Sequence, residues 1–155
     1  MKTLKYIPLL LISCLLFVGC LKKGLPEYED WDLNIIQNVY VEHRYETDKL
    51  LNGEPVVGYQ RLNVTKTVDE LNNTIYIKIE VPAANGTFTS AIRDKVLQTN
   101  LWMYVDISTA ASISPLNGSP KLGDPADLTK DHSYKVTAAN GSEKKWVIKV
   151  SSFQK

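Results

Sequence analysis

Between Thr74 and Val81 the chain alternates without interruption: Ile75, Ile77, Ile79 and Val81 fall on one side, Thr74, Tyr76, Lys78 and Glu80 on the other. A repeat of two belongs to a strand with one buried face, because successive side chains of an extended backbone point to opposite sides. Pro82 follows and cannot donate to a ladder, so the strand ends there. One apolar strand face is useless alone. The rest of the chain has to supply the surface that covers it.

It supplies more strands. From Asn38, Val39, Val41, His43 and Tyr45 share one side and Tyr40, Glu42, Arg44 and Glu46 the other. Asn52-Gly53-Glu54-Pro55 marks a turn, and Val56 to Val68 reads as one long strand with Leu62, Val64 and Val68 on a face, forming a hairpin with the 74–81 strand. Ser90, followed by Ala91 to Leu97, suits a short capped helix. Leu101, Met103, Val105 and Ile107 point inward from a further strand whose opposite face carries Trp102 and Tyr104, so either both faces are buried or one is used. Ala110 to Pro115 suits a brief edge strand. Pro120, Pro125, Gly118 and Gly123 make 117–131 a long loop. The chain closes on a hairpin whose inward set is Tyr134, Val136, Trp146, Ile148 and Val150, with Asn140-Gly141 expected to supply two positive φ angles for a type I′ turn. The fold class predicted is all-β: an immunoglobulin-like antiparallel β-sandwich of about seven strands with one possible short helix, over residues 34–155.

The N-terminus points to the cell envelope. Lys2 and Lys5 precede an apolar run from Ile7 to Val18, and Gly19 then Cys20 follow. The run is about a dozen residues, short of the ~20 that span a bilayer, so 1–19 reads as a signal peptide rather than an anchor. Gly19-Cys20 resembles the lipobox of bacterial lipoproteins, which implies a diacylglycerol on the Cys20 thiol. Residues 20–33, with Gly24, Pro26 and an acidic cluster, form a tether; Tyr28 and Trp31 within it are expected to pack on the domain that follows.

Cysteine use follows from this. Cys14 leaves with the signal and Cys20 takes lipid, so no thiol remains in the mature chain for disulfides, thiolate metal sites or nucleophilic catalysis. Loss of Lys2 and Lys5 leaves 16 basic against 17 acidic residues, a charge of −1 in place of +1. Such a balance offers nothing to attract nucleic acid, and membrane attachment falls to the acyl chains.

Three further stretches carry a resemblance: GLPEYEDWDLN after the cysteine, YQRLNVTKTVDELNNTI in the middle, and ISTAASISPLNGSPKLGDPADL ahead of the closing YKVTAANGSEKKWVIKV. Together they resemble a Bacteroidetes lipoprotein family built on a domain of unknown function with an immunoglobulin-like sandwich, often associated with starch-utilisation-type glycan uptake systems. The resemblance implies a lipid-anchored protein of the outer membrane and assigns no functional residues. Surface-exported lipoproteins of that phylum tend to carry acids within a few positions of the cysteine, whereas Leu21, Lys22 and Lys23 stand here and the acids begin at Glu27. Surface and periplasmic faces both stay open.

Catalytic chemistry finds little footing. Glu42, Glu46 and Glu80 read as solvated strand faces rather than the paired carboxyl groups of a glycosidase. His43 reads as a hydrogen-bonded, half-buried residue, and His132 sits beside Asp131 at a loop end, without the short spacing of a zinc site. Asp124, Asp127 and Asp131 share a loop but match no ordered calcium loop, and serve as corner formers. No metal, cofactor or catalytic residue is expected. What remains is aromatic: Tyr40, Tyr76, Trp102 and Tyr104 point away from the inward sets, and on neighbouring strands they would form a patch for stacking sugar rings. The alternative is that the helix or the long loop covers them. The function expected is a non-enzymatic, lipid-anchored module that binds glycan or docks on a partner in a polysaccharide uptake system; the alternative is a subunit of a pilus or other surface assembly.

Overall fold

The computed structural model describes residues 31–155 and is all-β in class, two packed sheets with one short helix. The signal peptide, Cys20 and most of the tether lie outside the described residues. The first sheet has the order β2-β1-β5-β7, from β1 (Ile36–Leu51), β2 (Glu54–Arg61), β5 (Leu101–Ile107) and β7 (Pro125–Ala126). The second has the order β3-β4-β9-β8-β6, from β3 (Asn63–Asp69), β4 (Thr74–Glu80), β6 (Ser112–Leu116), β8 (His132–Thr137) and β9 (Glu143–Gln154). Helix α1 spans Ser90–Asp94, with Thr89 as its N-cap: the Thr89 hydroxyl accepts from the Ile92 amide at 3.3 Å.

The core lies between the inner faces. Val39, Val41, Leu101 and Met103 of the first sheet meet Ile75, Ile77 and Ile79 of β4, Tyr134 and Val136 of β8, and Trp146 and Ile148 of β9, all buried. Trp146 donates its ring N–H to the Asn34 carbonyl at 2.9 Å, and the Tyr134 hydroxyl donates to the Pro120 carbonyl at 3.1 Å, so the largest polar-tipped residues of the core spend their polar ends. Burial holds the Tyr134 phenol up at about 12.

Four expectations need correction. Val56 to Val68 is not one strand: β2 pairs with β1 and β3 with β4, so the chain changes sheets at Leu62, which is buried and whose N–H still donates to Val41 of β1 at 2.9 Å. The sandwich is not wholly antiparallel, because β9 runs parallel to β4 while antiparallel to β8. The closing turn is not type I′. Only Gly141 has positive φ there (+83°), and the Gly141 amide donates to the Ala138 carbonyl at 3.0 Å, a three-residue connection ending in a left-handed glycine. The paired positive φ values occur instead at Asn52-Gly53 (54° and 87°), joining β1 to β2. Trp31 does not pack down either: it is 60% exposed, while its carbonyl accepts from the Asn140 amide at 3.3 Å.

Candidate functional site

The outer face of the first sheet carries a cluster of polar and aromatic side chains. Antiparallel register places Tyr40 opposite Tyr104, Glu42 opposite Trp102, and Asn38 opposite Asp106 across β1 and β5; on the other side of β1, Glu42 faces Arg61 and Arg44 faces Tyr59 of β2. Tyr40, Trp102 and Tyr104 are therefore brought together. Tyr76 is not: it lies on β4 of the second sheet, so the fourth member of the expected patch is removed by topology.

Glu42 stands at the centre. It lies on the outward side, yet is only 8 % exposed, which corrects its assignment to a solvated face. Its Oε1 accepts from Arg44 Nε at 3.0 Å and from the Tyr104 hydroxyl at 2.9 Å, and an Arg44 amine also meets the Tyr104 hydroxyl. The Arg44 guanidinium carbon then stands 5.3 Å from the centre of the Trp102 ring, and that of Arg61 4.9 Å from the Tyr40 ring, both cation–π distances. Neighbouring side chains, rather than another layer of backbone, bury the carboxylate.

A second acceptor repeats the arrangement one end along. The Tyr40 hydroxyl donates to Asp106 Oδ2 at 2.5 Å, and Asn38 donates to the same oxygen at 3.2 Å. These hydrogen bonds hold the Asp106 carboxyl below its ordinary range and raise the Tyr40 phenol. The Tyr104 phenol is raised too, first by burial and then by its bond to Glu42. Both tyrosines remain neutral donors at physiological pH.

The long loop covers part of this face, as one of the two sequence expectations held. Pro125 of β7 pairs beside Trp102, the Gly123 amide donates to the Met103 carbonyl at 3.0 Å, and a Cβ on Gly123 would stand 3.3 Å from Tyr104 Cε1. Trp102 and Tyr104 beside the loop are half-buried, as is Tyr40 beneath Arg61.

Other candidate groups are engaged elsewhere. Asp127 Oδ1 accepts from the Thr129 amide and hydroxyl at 3.1 and 2.5 Å and its Oδ2 meets Lys130 at 3.2 Å, while Asp131 pairs with Lys149 at 2.6 Å. His132 is buried at the start of β8 with Nε2 3.0 Å from the Asp127 carbonyl. His43 is buried against Tyr45, but its Nδ1 has no hydrogen-bond partner among the described residues, contrary to expectation; burial lowers its pKa. Sequence reasoning turned Glu42 outward but missed its burial, and it missed Arg61 as a member of the outer face. Their strict alternation with the inward set was the available signal for orientation, but covering by neighbours depends on β1–β2–β5 adjacency.

Fold and face together define a small all-β sandwich whose distinctive chemistry lies on an open sheet surface rather than in a cleft. Residues 36–149 match the family model described as DUF5018-related, and the chain belongs to that family. The crystal structure of a candidate secreted protein from Bacteroides fragilis NCTC 9343 is similar, with 39% identity and a TM-score of 0.74, the match covering 82% of this chain and 100% of that chain. A candidate glycoside hydrolase from Bacteroides thetaiotaomicron VPI-5482 aligns with 17% identity and a TM-score of 0.40 over 83% of this chain and 26% of its own. No curated protein matches. Among the described residues no helix is long and apolar enough to cross a membrane.

Proposed function

We propose that this chain is a non-enzymatic binding module, held at the outer membrane by lipid on Cys20, whose outer β1–β5–β2 face is a platform for glycan in a polysaccharide uptake system. The observation that carries this is the set of three aromatic rings, Tyr40, Trp102 and Tyr104, locked at adjacent register positions by Glu42 and Asp106 and topped by Arg44 and Arg61. A sugar ring lying on Trp102 takes the place of the Arg44 guanidinium, which stays tied to Glu42 through Nε and offers its amines to the sugar hydroxyls. Binding rather than hydrolysis fits the carboxylates. Glu42 and Asp106 belong to register positions four residues apart along the ladder, a backbone offset of about 13 Å, and each is committed to a tyrosine hydroxyl.

Titration with a broad polysaccharide panel, read by tryptophan fluorescence and calorimetry, tests the platform. Saturable binding abolished by Trp102→Ala is expected; no heat and no spectral change across the panel would refute it. The alternative, a subunit of a pilus or other surface assembly, is favoured by one observation, the edge of β3 in the second sheet, which has no neighbour on its outer side among the described residues. It requires open-ended polymers.

A further inference from the structure

We infer that the free edge of β2 pairs with β2 of a second copy of this chain, antiparallel and about a two-fold axis at Gly58, making a closed dimer with one continuous sheet. Among the described residues β2 is the edge of its sheet. Which of its backbone groups are free follows from its pairing with β1. The Leu62 N–H donates to Val41, its register partner, and the two-residue Asn52-Gly53 turn closes on the Leu51–Glu54 pair. Even-numbered residues of β2 therefore direct their N–H and C=O groups at β1, and Pro55, Val57, Tyr59 and Arg61 direct theirs outward. Val57 and Tyr59 are also 61% and 64% exposed, an apolar and aromatic stretch between the edge-blunting residues Pro55 and Arg61.

Opposed residues of an antiparallel pair must both face each other or both face away, which limits the registers open to a β2–β2 contact. With Gly58 on the axis, Val57 meets Tyr59 of the second copy in two hydrogen-bonded pairs, and Pro55 meets Arg61. Only this arrangement uses each free group. Pro55 has a carbonyl to accept the Arg61 N–H but no N–H to give the Arg61 carbonyl; that carbonyl is already satisfied by the Gln60 side-chain amide at 2.8 Å. The axial pair faces away from the contact, where Cα atoms approach to about 4.5 Å, and glycine occupies it. A Cβ at Gly58 would also stand 2.9 Å from the Thr47 methyl within its own chain, so the position is held as glycine. Apolar Val57 and aromatic Tyr59 make the cross-strand pair on the outer face. An isologous contact of this kind closes at two copies and cannot propagate.

Sedimentation of the full chain in detergent should show a dimer across the micromolar range. Val57→Pro removes an outward N–H without touching the β1–β2 ladder, and should give monomer with the thermal transition retained; Val57→Lys, which leaves the backbone unchanged, should do the same and stands in if the proline variant fails to fold. Register is read by oxidation: Val57→Cys with Tyr59→Cys in one chain should yield a covalent dimer, since hydrogen-bonded pairs place Cα atoms about 5.5 Å apart, and each single variant should match the parent. A monomeric chain, open-ended polymers, dimers that survive Val57→Lys, or a single-cysteine variant that cross-links as well as the pair would each overturn the inference.

Discussion

Replacement of Glu42 gives the sharpest test of the outer face as a preorganised unit. Its Oε1 accepts two hydrogen bonds, from Arg44 at 3.0 Å and Tyr104 at 2.9 Å. Bonds to a charged group contribute about 1.5–3 kcal/mol each, but Arg44 is 38 % exposed and regains water when released, so its share is heavily discounted. The Tyr104 hydroxyl is half-buried under the loop and regains less. Glu42→Ala should therefore cost about 1–3 kcal/mol in all. Glu42→Gln keeps an acceptor at the same place and should cost about 1 kcal/mol or less. In urea unfolding both variants should move the midpoint at constant slope. The Trp102 emission should shift in Glu42→Ala, because Arg44 loses the carboxylate that positions it over the ring. A cycle with Tyr104→Phe should return a coupling of about 0.5–2 kcal/mol. If Glu42→Ala lies within about 0.5 kcal/mol of wild type and the emission is unchanged, Glu42 does not organise this face and the platform loses its basis.

Alkaline stability should report Tyr134. Burial pushes its folded phenol up to about 12 from an ordinary 10.0, so above pH 10 the unfolded chain releases a proton that the folded one keeps, and stability falls as pH rises toward 12. Tyr134→Phe should move the alkaline unfolding midpoint upward, although losing the bond to Pro120 lowers stability at neutral pH; a midpoint that does not move would refute the assignment. Gly123→Ala, at φ +86° and with its Cβ against Tyr104, should destabilise by about 1–2 kcal/mol in denaturant unfolding. Ile77→Ala, fully buried on β4, should cost about 2–5 kcal/mol by the same measurement. Cys20→Ser should abolish incorporation of radiolabelled palmitate and release the protein from the membrane fraction.

Local pattern was readable wherever one face of a strand met the core. β4 is buried at Ile75, Ile77 and Ile79 as its alternation demands, and the N-capped helix falls within one residue of its expected start. The sheet change at Leu62 was not readable, because alternation continues through it: an inward Leu62 serves either sheet, and no glycine or proline marks the crossing. Parallel pairing of β4 with β9 joins segments about seventy residues apart, which no local periodicity encodes. The site was half legible for the same reason. Period two correctly turned Tyr40, Trp102 and Tyr104 outward, but separating Tyr76 from them required knowing which strands share a sheet. Burial of Glu42 required the side chains of two neighbouring strands. The type I′ turn formed at Asn52-Gly53 rather than Asn140-Gly141 because Gly141 there follows a residue with ordinary negative φ, giving a longer connection.

The place of β9 has a consequence for how the molecule is made. It is the last strand of the chain, yet it lies in the middle of the second sheet, between β4 and β8. A hairpin of β3 and β4 can form early, but β4 keeps a bare edge and an uncovered row of isoleucines until residues near 150 arrive. Stable folding must therefore wait for the complete chain, with most contacts closing over long loops. On the export proposed above, that delay keeps the polypeptide slack during passage. It also leaves the β4 edge as the point where a stalled or truncated product would aggregate.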